Sequence, residues 1–285
     1  MKVLLTGDKG MLAHAFLKKR PKEWELLATD VEELDITNPV LVEKTIQQFR
    51  PDLIINCAAY TKVDDCETKK ELAFAVNGGG PGNLARAAAQ IGAKFVHFST
   101  DYIFDGTKNK PYLENDPPHP INVYGRSKLE GEQIVRRQTD NHLIIRTQWL
   151  YGEGGNHFVK TILKLAKERD SIKVVNDQFG SPTWTEDLAD TAIELIKKDG
   201  TGTYHIVNSG ECSWYDFACQ IIKEAELNTK VIPCTTAEFS RPAKRPAYSV
   251  LSTEKVEMLL RKHLSDWQVA LCSFLNDLGY LHNKR

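Results

Sequence analysis

The chain has 285 residues, 41% of them hydrophobic, which is enough to bury a sizeable core in one large domain or two smaller ones. Its 37 basic and 38 acidic side chains give a formal net charge of -1, so bulk charge argues against nucleic-acid and membrane-surface partners. No window approaches the roughly 20 apolar residues of a membrane span, and the first residues lack the apolar core of a secretory signal.

Strand and helix patterns alternate regularly through the first 150 residues. The predicted strands are Lys2–Thr6, Glu25–Thr29, Leu53–Asn56, 94–98 and 142–146. The predicted helices are Met11–Lys19, Pro39–Phe49, 71–91 and 123–137. This βαβα alternation with apolar strands is typical of an α/β protein of the Rossmann type, a doubly wound parallel sheet with helices on both faces.

The rhythm is looser after residue 151. Helices are predicted at Phe158–Glu168, 184–197, 214–225, 253–260 and 264–278, with strands at 172–175, 203–207 and 230–233. Residues 242–249 are predicted to form a loop, and residues 281–285 a frayed tail. We expect one domain at 1–150, extended by 184–208, and a smaller α/β domain made of 151–183 and 209–285.

A glycine motif separates the first strand from the first helix. Gly7 allows the tight turn, and Gly10 lets backbone N–H groups approach a pyrophosphate at the helix N-terminus, where the dipole favours anions. Asp30 ends the second strand, where a carboxylate can accept hydrogen bonds from the adenine ribose of a dinucleotide. It would repel a 2′-phosphate and so favours NADH over NADPH. A turn or helix-cap aspartate is the alternative interpretation.

Further cofactor contacts are predicted from the loops after the second and third strands. Asp35 and Ile36 are predicted to lie beside the adenine ring. Ala58, Ala59 and Tyr60 follow the third strand, where small side chains let a cofactor lie against the backbone.

Tyr124 and Lys128 lie one helical turn apart, and with a dinucleotide site they indicate hydride transfer to or from a carbonyl. A phenol with a pKa near ~10 is a poor acid–base group at neutral pH, but Lys128 can stabilise its phenolate and also bind the nicotinamide ribose. Thr100 follows the fourth strand and can orient a substrate oxygen. Trp149 follows the fifth strand and can cover the apolar face of a sugar. The alternatives are a solvated helix face, a strand-capping threonine and a core tryptophan.

These residues together resemble the extended short-chain dehydrogenases/reductases, and within them the branch that makes dTDP-L-rhamnose by reducing a C4 ketone. The resemblance covers nearly the whole chain. It rests on Thr6-Gly7-x-x-Gly10-Met11-Leu12, Asn56-Cys57-Ala58-Ala59-Tyr60-Thr61-x-Val63-Asp64, Ser99-Thr100-Asp101-Tyr102-x-Phe104-Asp105-Gly106, Tyr124-Gly125-x-Ser127-Lys128, Arg146-Thr147-x-Trp149-Leu150-Tyr151-Gly152 and Arg245-Pro246.

The resemblance implies a role for each matched residue. The catalytic set is Thr100, Tyr124 and Lys128, and the residues beside the substrate are Asp101, Phe104 and Trp149. The implied cofactor contacts are Gly10, Met11, Leu12, Asp30, Asp35, Ile36, Ala58, Ala59 and Tyr60, and family members use NADPH or NADH. The nucleotide-sugar diphosphate is expected in the C-terminal half near residues 177–183, with Arg245 pairing a phosphate.

The expected reaction delivers hydride to C4 of a 4-keto sugar, and Tyr124 protonates the developing alkoxide. A sugar dehydratase or epimerase is an alternative, but dehydratases carry an Asp-Glu pair after the threonine, and here Asp101 is followed by Tyr102. A non-catalytic NADP-binding regulatory subunit is a second alternative. The intact Thr100, Tyr124 and Lys128 argue against it.

The six cysteines form no Cys-x-x-Cys pair, and the eight histidines lack the spacing of a zinc site. We therefore expect reduced thiols in a cytoplasmic protein. Some members of the resembled family dimerise around Mg²⁺ held by glutamates. Glu186 matches one such position, whereas Ala15 replaces another, so a homodimer and a bound Mg²⁺ both stay open.

Overall fold

The computed structural model describes residues 1–280, so the tail predicted at 281–285 lies outside the described residues. The strands are β1 (Lys2–Thr6), β2 (Glu25–Thr29), β3 (Leu53–Asn56), β4 (Lys94–Thr100), β5 (His142–Thr147), β6 (Leu150–Tyr151), β7 (Ser171–Val175), β8 (Phe179–Gly180), β9 (Thr183–Trp184), β10 (Gly202–His205), β11 (Cys212–Ser213) and β12 (Lys230–Cys234). The helices are α1 (Met11–Lys19), α2 (Pro39–Phe49), α3 (Val63–Cys66), α4 (Lys70–Phe74), α5 (Gly80–Ile91), α6 (Val123–Gln138), α7 (Phe158–Glu168), α8 (Thr185–Lys197), α9 (Trp214–Glu224), α10 (Glu254–Leu260) and α11 (Trp267–Asp277).

Six strands form one parallel sheet in the order β10-β5-β4-β3-β1-β2. The chain leaves β1 for β2 on one side and then crosses back to β3 on the other side. The connections above β1 and β3 therefore diverge and open a crevice at their carboxyl ends, which is where open α/β sheets bind ligands. The predicted parallel α/β fold is confirmed.

Both faces of the sheet are covered by helices, because its strands are apolar on both sides. One face packs against α1 and α8, with side chains such as Phe16, Ile55 and Leu188. The other face packs against α2, α5 and α6, with Ile46, Leu84 and others. The buried face of each helix is matched by the alternating side chains of β1, β3, β4 and β5.

A second hydrophobic cluster lies in the C-terminal half of the chain. It centres on the fully buried Tyr151, with Ile162, Phe217, Leu271 and Phe274 packed around it from α7, α9 and α11. Only small sheets accompany it: β7 pairs with β12 and β6 with β9, both parallel, while β8 pairs with β11 antiparallel. Apart from the five-residue pair β7–β12, these strands have two residues each and fix little backbone, so side-chain packing contributes much of the order of this half.

The structure differs from the sequence prediction at a few boundaries. The predicted strand 94–98 continues to Thr100. The predicted helix 71–91 divides into α4 and α5, joined by a wide π-helical turn at Ala75–Gly79. Helix α11 begins at Trp267 rather than 264, because the Asp266 side chain accepts a hydrogen bond from the N–H of Gln268. Within residues 1–280, no helix is both long and apolar enough to cross a membrane.

Candidate active site

The cofactor crevice is the space above the carboxyl ends of β1 and β3. Gly7 adopts φ +72°, and a Cβ there would lie 2.7 Å from the backbone nitrogen of Ala58, so only glycine fits this approach of two loops. The N–H of Gly10 donates to the carbonyl of Gly7 at 3.0 Å and closes the turn. The two predicted glycine positions are thus brought directly against the predicted Ala58 loop.

The N-terminus of α1, with its partial positive charge from the helix dipole, faces this crevice. Gly10 is the N-cap and offers no side chain to the helix, and the first turn contains no acidic residue. Met11 and Leu12 therefore present their backbone N–H groups to an anion, while the Leu12 side chain is buried in the core. This arrangement fits the pyrophosphate of a dinucleotide.

The adenine side of the crevice is acidic. Asp30 follows β2 and accepts a hydrogen bond from the N–H of Val31 at 2.8 Å, which shapes the turn. Next to it, Lys9 pairs with Glu32 at 2.7 Å. Asp35 accepts hydrogen bonds from the N–H and hydroxyl of Thr37. Both predicted carboxylates thus lie in the loop between β2 and α2.

The remaining predicted cofactor residues differ in exposure. Ile36 is only 4% exposed and packs beneath Gly80, so its side chain belongs mainly to the core. Ala58 and Tyr60 stay partly exposed, as does Ala59 between them. The N–H of Tyr60 donates to the Asn77 side chain at 2.8 Å, which fixes the loop.

Helix α6 carries Tyr124 in its first turn and Lys128 one turn later. The helix starts there because the Asn122 side chain caps it, accepting a hydrogen bond from the N–H of Gly125 at 2.7 Å. Lys128 is buried, and its ammonium donates to the carbonyl of Phe98 at 2.6 Å. Burial lowers the pKa of Lys128 to about 8. It is still mainly charged at neutral pH.

The next turn of α6 is anchored to the sheet by a buried ion pair. Glu132 accepts two hydrogen bonds from the Arg146 guanidinium of β5, at 2.9 and 2.8 Å. Burial raises the pKa of the Glu132 carboxyl, but the pairing with Arg146 outweighs it and lowers that pKa to about 2. Both groups stay charged at neutral pH, and the pair fixes the axial position of Lys128 and Tyr124.

Tyr124 meets Thr100 and Asp101 at the carboxyl end of β4. Burial raises the pKa of the Tyr124 phenol above its ordinary value, the nearby Asp101 raises it further, and the nearby Thr100 hydroxyl opposes both. The Thr100 hydroxyl donates to Asp101 at 2.9 Å. Burial raises the Asp101 pKa to about 7. Tyr124 is therefore a neutral phenol at neutral pH and can act as an acid.

Gly125 sits where α6 passes closest to the strand-end loop. A Cβ there would lie 2.0 Å from the carbonyl oxygen of Tyr102. The Tyr102 ring in turn packs edge-on against the Tyr124 ring, with centroids 5.7 Å apart. The glycine in the Tyr124-Gly125 pair thus sets how closely the catalytic candidate approaches its neighbours.

A cation-lined cavity of about 410 Å³ lies beside this site. Its walls come from α7, β7, the start of α9 and the loop 236–245. Apolar and aromatic side chains, among them Phe158, Leu165 and Trp214, form much of the lining. Four basic side chains and no acidic ones join them, namely Lys173, Arg241, Lys244 and Arg245. Aromatic walls with concentrated positive charge suit a base joined to phosphates.

Trp149 adopts a left-handed conformation, with φ 49°, and adjoins the cavity through Trp214. Its indole stacks on that of Trp214 at 3.5 Å between ring centroids, with an angle of 11° between the planes. One face of Trp149 is therefore covered by Trp214, which itself lines the cavity. A sugar can meet only the other face or an edge.

Two predicted substrate residues occupy unexpected surroundings. Phe104 is fully buried and stacks on Tyr112, with ring centroids 4.2 Å apart. Its contact with the substrate stays a prediction, and its burial argues against that contact. Arg245 lines the cavity, but its guanidinium pairs with Asp64 at 2.6 and 2.9 Å. The expected free phosphate partner is thus already bound to a carboxylate.

Sequence reasoning assigned no role to Asp64, Tyr102 or Trp214. Asp64 lies 181 residues from Arg245, and no pattern along the chain signals that contact. Trp214 follows a Ser213 capping box, which predicts the helix start but not what the indole faces. Of the basic residues on this wall, only Arg245 was expected beside the substrate, and that expectation came from the resemblance.

Glu186 does not fit the Mg²⁺ site that the resemblance raised. Its carboxylate pairs with Lys18 and, at 3.2 Å, with Lys19. Among residues 1–280, no group of three or more His, Cys, Asp or Glu side chains is placed to bind a metal. The two lysines supply the charge balance that a cation would otherwise give.

The glycine cradle, the Tyr–Lys pair and the strand-end threonine on a parallel sheet define a short-chain dehydrogenase/reductase, an oxidoreductase of the Rossmann type. The family model described as the RmlD substrate binding domain matches residues 1–280. The dTDP-4-dehydrorhamnose reductase of Escherichia coli strain K12 is 40% identical, with 98% of each chain covered. The chain belongs to the dTDP-4-dehydrorhamnose reductase family, which confirms the resemblance.

Two solved structures of this family are similar over nearly their whole length. A dTDP-4-dehydrorhamnose reductase from Clostridium acetobutylicum has a TM-score of 0.95 and 45% identity, covering 98% of this chain and 100% of that one. The enzyme from Bacillus anthracis, in complex with NADP, has a TM-score of 0.95 and 42% identity, covering 97% and 99%. The fold and the order of the elements are thus those of the family.

Proposed function

We propose that this protein reduces the C4 ketone of dTDP-4-dehydro-L-rhamnose to dTDP-L-rhamnose with NADPH or NADH, for the synthesis of cell-surface polysaccharide precursors. The observation that supports this reaction most directly is the neutral Tyr124 phenol beside Thr100, next to a cavity lined by four basic side chains. Family membership supports the same reaction.

Each residue of the site has a role in the proposed reduction. The Thr100 hydroxyl orients the ketone oxygen, and Tyr124 donates its proton to that oxygen as negative charge develops. Lys128 supplies positive charge near the phenolate that remains. Its ammonium is bound to the Phe98 carbonyl in this structure, so it is held in place before substrate arrives.

The cofactor supplies the hydride when it is bound in the crevice. Gly7, Gly10 and the first N–H groups of α1 would hold its pyrophosphate. Asp30 would accept hydrogen bonds from the adenine ribose and favours NADH, whereas the Bacillus anthracis relative was solved with NADP. The proposal therefore includes both cofactors.

The nucleotide part of the substrate is assigned to the cation-lined cavity. We propose that residues 151–183 and 209–285 form the substrate domain, and that 1–150 with 184–208 bind the dinucleotide. The separate cluster around Tyr151 supports this division. A homodimer stays a prediction, and the lysine pairs of Glu186 argue against one linked by Mg²⁺. The six free cysteines support a cytoplasmic location.

The test is turnover with defined substrates. NADPH or NADH absorbance is followed with dTDP-4-dehydro-L-rhamnose, and the same assay is run on Tyr124→Phe. We expect oxidation by the wild type and a loss of at least about 100-fold in the variant, with NADPH affinity unchanged. Near-normal turnover by Tyr124→Phe would refute the acid assignment. No oxidation of either cofactor by the wild type would favour the regulatory-subunit alternative.

A further inference from the structure

Asp64 binds the loop that forms one wall of the cavity. Its two carboxylate oxygens accept hydrogen bonds from both terminal nitrogens of Arg245, at 2.6 and 2.9 Å. The same carboxylate accepts from the N–H of Ala243 at 3.1 Å and from Arg241 at 3.3 Å. One side chain therefore fixes three positions of the segment 241–245.

The contact joins the two halves of the candidate site. Asp64 belongs to α3, which follows directly on the Ala58–Tyr60 part of the cofactor crevice. The segment 241–245 lines the cation-lined cavity. The two are far apart in sequence, so this carboxylate is a direct link between the loop after β3 and the wall of the cavity.

The pairing with Asp64 orients the Arg245 guanidinium and does not remove it from the cavity wall. A planar guanidinium bound through both terminal nitrogens has a fixed plane and direction. Its Nη1 also donates to the Ala243 carbonyl at 2.5 Å. Tyr102 and Arg245 both line the cavity, and the Tyr102 ring packs on Tyr124. The arginine that Asp64 orients therefore lines the same cavity as the neighbour of the catalytic phenol.

The charge left on this wall is still positive. Arg241 and Arg245 carry two positive charges against the single negative charge of Asp64, and Lys244 lies between them in sequence. Pairing with Arg245 holds the pKa of Asp64 at about 2. The carboxylate is therefore charged throughout the physiological range and the pairing persists.

We propose that Asp64 is a positioning residue for the nucleotide diphosphate: it fixes Arg245 and the segment 241–245 as a preformed, cationic wall of the cavity. The inference rests on the proposed function, because it concerns the same substrate. Asp64 itself touches the arginines and not the diphosphate. Without it, the arginines would have to be ordered at the moment of binding, which weakens affinity.

Asp64→Asn tests the assignment, since asparagine has the same shape but cannot pair both guanidinium nitrogens as an anion. We expect the Kd for dTDP, measured by calorimetry, and the KM for the nucleotide sugar to rise at least about tenfold. We expect kcat to stay within about threefold and the NADPH Kd within about twofold. Asp64→Glu keeps the charge and should recover part of the affinity.

Asp190→Asn is the matched control. Asp190 also pairs with a basic side chain, Lys19 at 2.8 Å, but it lies on α8 away from the cavity. Its loss should leave the Kd for dTDP unchanged. Arg245→Lys is the second variant, because it keeps the cation and removes the two-nitrogen pairing, and it should weaken dTDP binding like Asp64→Asn.

The outcomes separate the inference from the proposed function. If the wild type, Asp64→Asn and Arg245→Lys all bind dTDP with the same Kd, the positioning role of Asp64 is overturned and the proposed function is not. Loss of thermal stability in both variants with an unchanged dTDP Kd for the folded fraction would also overturn it, since that is a purely structural effect. Wild-type protein that neither binds dTDP nor oxidises either cofactor would overturn the proposed function and the inference with it.

Discussion

The cofactor crevice and the cation-lined cavity are built in different ways. In the crevice and at the catalytic residues beside it, backbone approaches backbone: Gly7 meets the Ala58 loop and Gly125 meets Tyr102, each at a distance that leaves no room for a Cβ. In the cavity, side chains approach side chains: Trp149 stacks on Trp214 and Arg245 pairs with Asp64.

The two regions should therefore differ in which substitutions they tolerate. A parallel sheet fixes the ends of its strands, so loops and helices that meet there have little freedom to move. The cavity is formed by parts of α7, β7 and α9 and by the loop 236–245, and aromatic stacking and ion pairs help to set the positions of its side chains. Changes in the crevice should therefore act on the chemistry, and changes in the cavity on affinity.

Gly125→Ala should have the largest effect. The added methyl group would lie 2.0 Å from the Tyr102 carbonyl oxygen, so either α6 or the strand-end loop must shift. Because displacements of about 1 Å at reacting groups cost on the order of 100-fold in rate, we expect at least that loss in kcat. Steady-state kinetics with NADPH and dTDP-4-dehydro-L-rhamnose would measure it.

Gly79→Ala is the control for this variant. Gly79 has helical dihedral angles, and no atom from outside its own helical segment lies within 4 Å of the position of its Cβ. Alanine there should leave kcat unchanged and stabilise the fold slightly by restricting the unfolded chain. Equal kcat values for the two glycine variants would show that close backbone approach does not govern the crevice.

The elements that form the crevice could be predicted from the sequence for the same reason. Strand, glycine turn and helix follow one another within a few residues, so Gly7, Gly10 and Asp30 can be placed from local pattern alone. Tyr124 and Lys128 are likewise separated by one helical turn. The ends of parallel strands meet at one edge of the sheet, which brings Thr100 to them without any knowledge of tertiary contacts.

The cavity could not be predicted in this way. Asp64 and Arg245 lie 181 residues apart, and their contact depends on how two loops pass each other. Phe104 was predicted beside the substrate through the resemblance, yet it is fully buried against Tyr112. A motif identifies a residue but does not predict how deeply its side chain is buried or what it packs against.

Raising the pH should reduce activity through the crevice and leave the cavity unaffected. Burial lowers the Lys128 pKa to about 8, so its ammonium is present below that pH and is lost above it. We expect kcat/KM for the cofactor, which reports ionisations before the cofactor binds, to fall about tenfold per pH unit above that point. The cavity arginines keep their charge, so dTDP affinity should change less than about twofold.

Lys128→Arg separates this titration from others in the protein. A guanidinium stays charged at every pH of the assay, so the high-pH decline should disappear even if the overall rate is lower. A wild-type profile that is flat to about pH 9.5 would contradict the requirement for a charged Lys128. It would also remove the expected contrast in pH dependence between crevice and cavity.

Trp214→Phe should have the smallest effect and should act on affinity alone. Trp149 adopts φ 49°, a left-handed conformation that few non-glycine residues take, and its indole lies flat on that of Trp214. A smaller ring reduces the overlap, and since aromatic pairs contribute about 0.5–1.5 kcal/mol, we expect the KM for the nucleotide sugar to rise about threefold with kcat within twofold. Tyr215→Phe, one residue along the same helix, is the control and should leave KM unchanged. A fall in kcat without a change in KM would mean that the Trp149–Trp214 stack acts on the chemical step. The distinction between a crevice that acts on the chemistry and a cavity that acts on affinity would then not hold for Trp149.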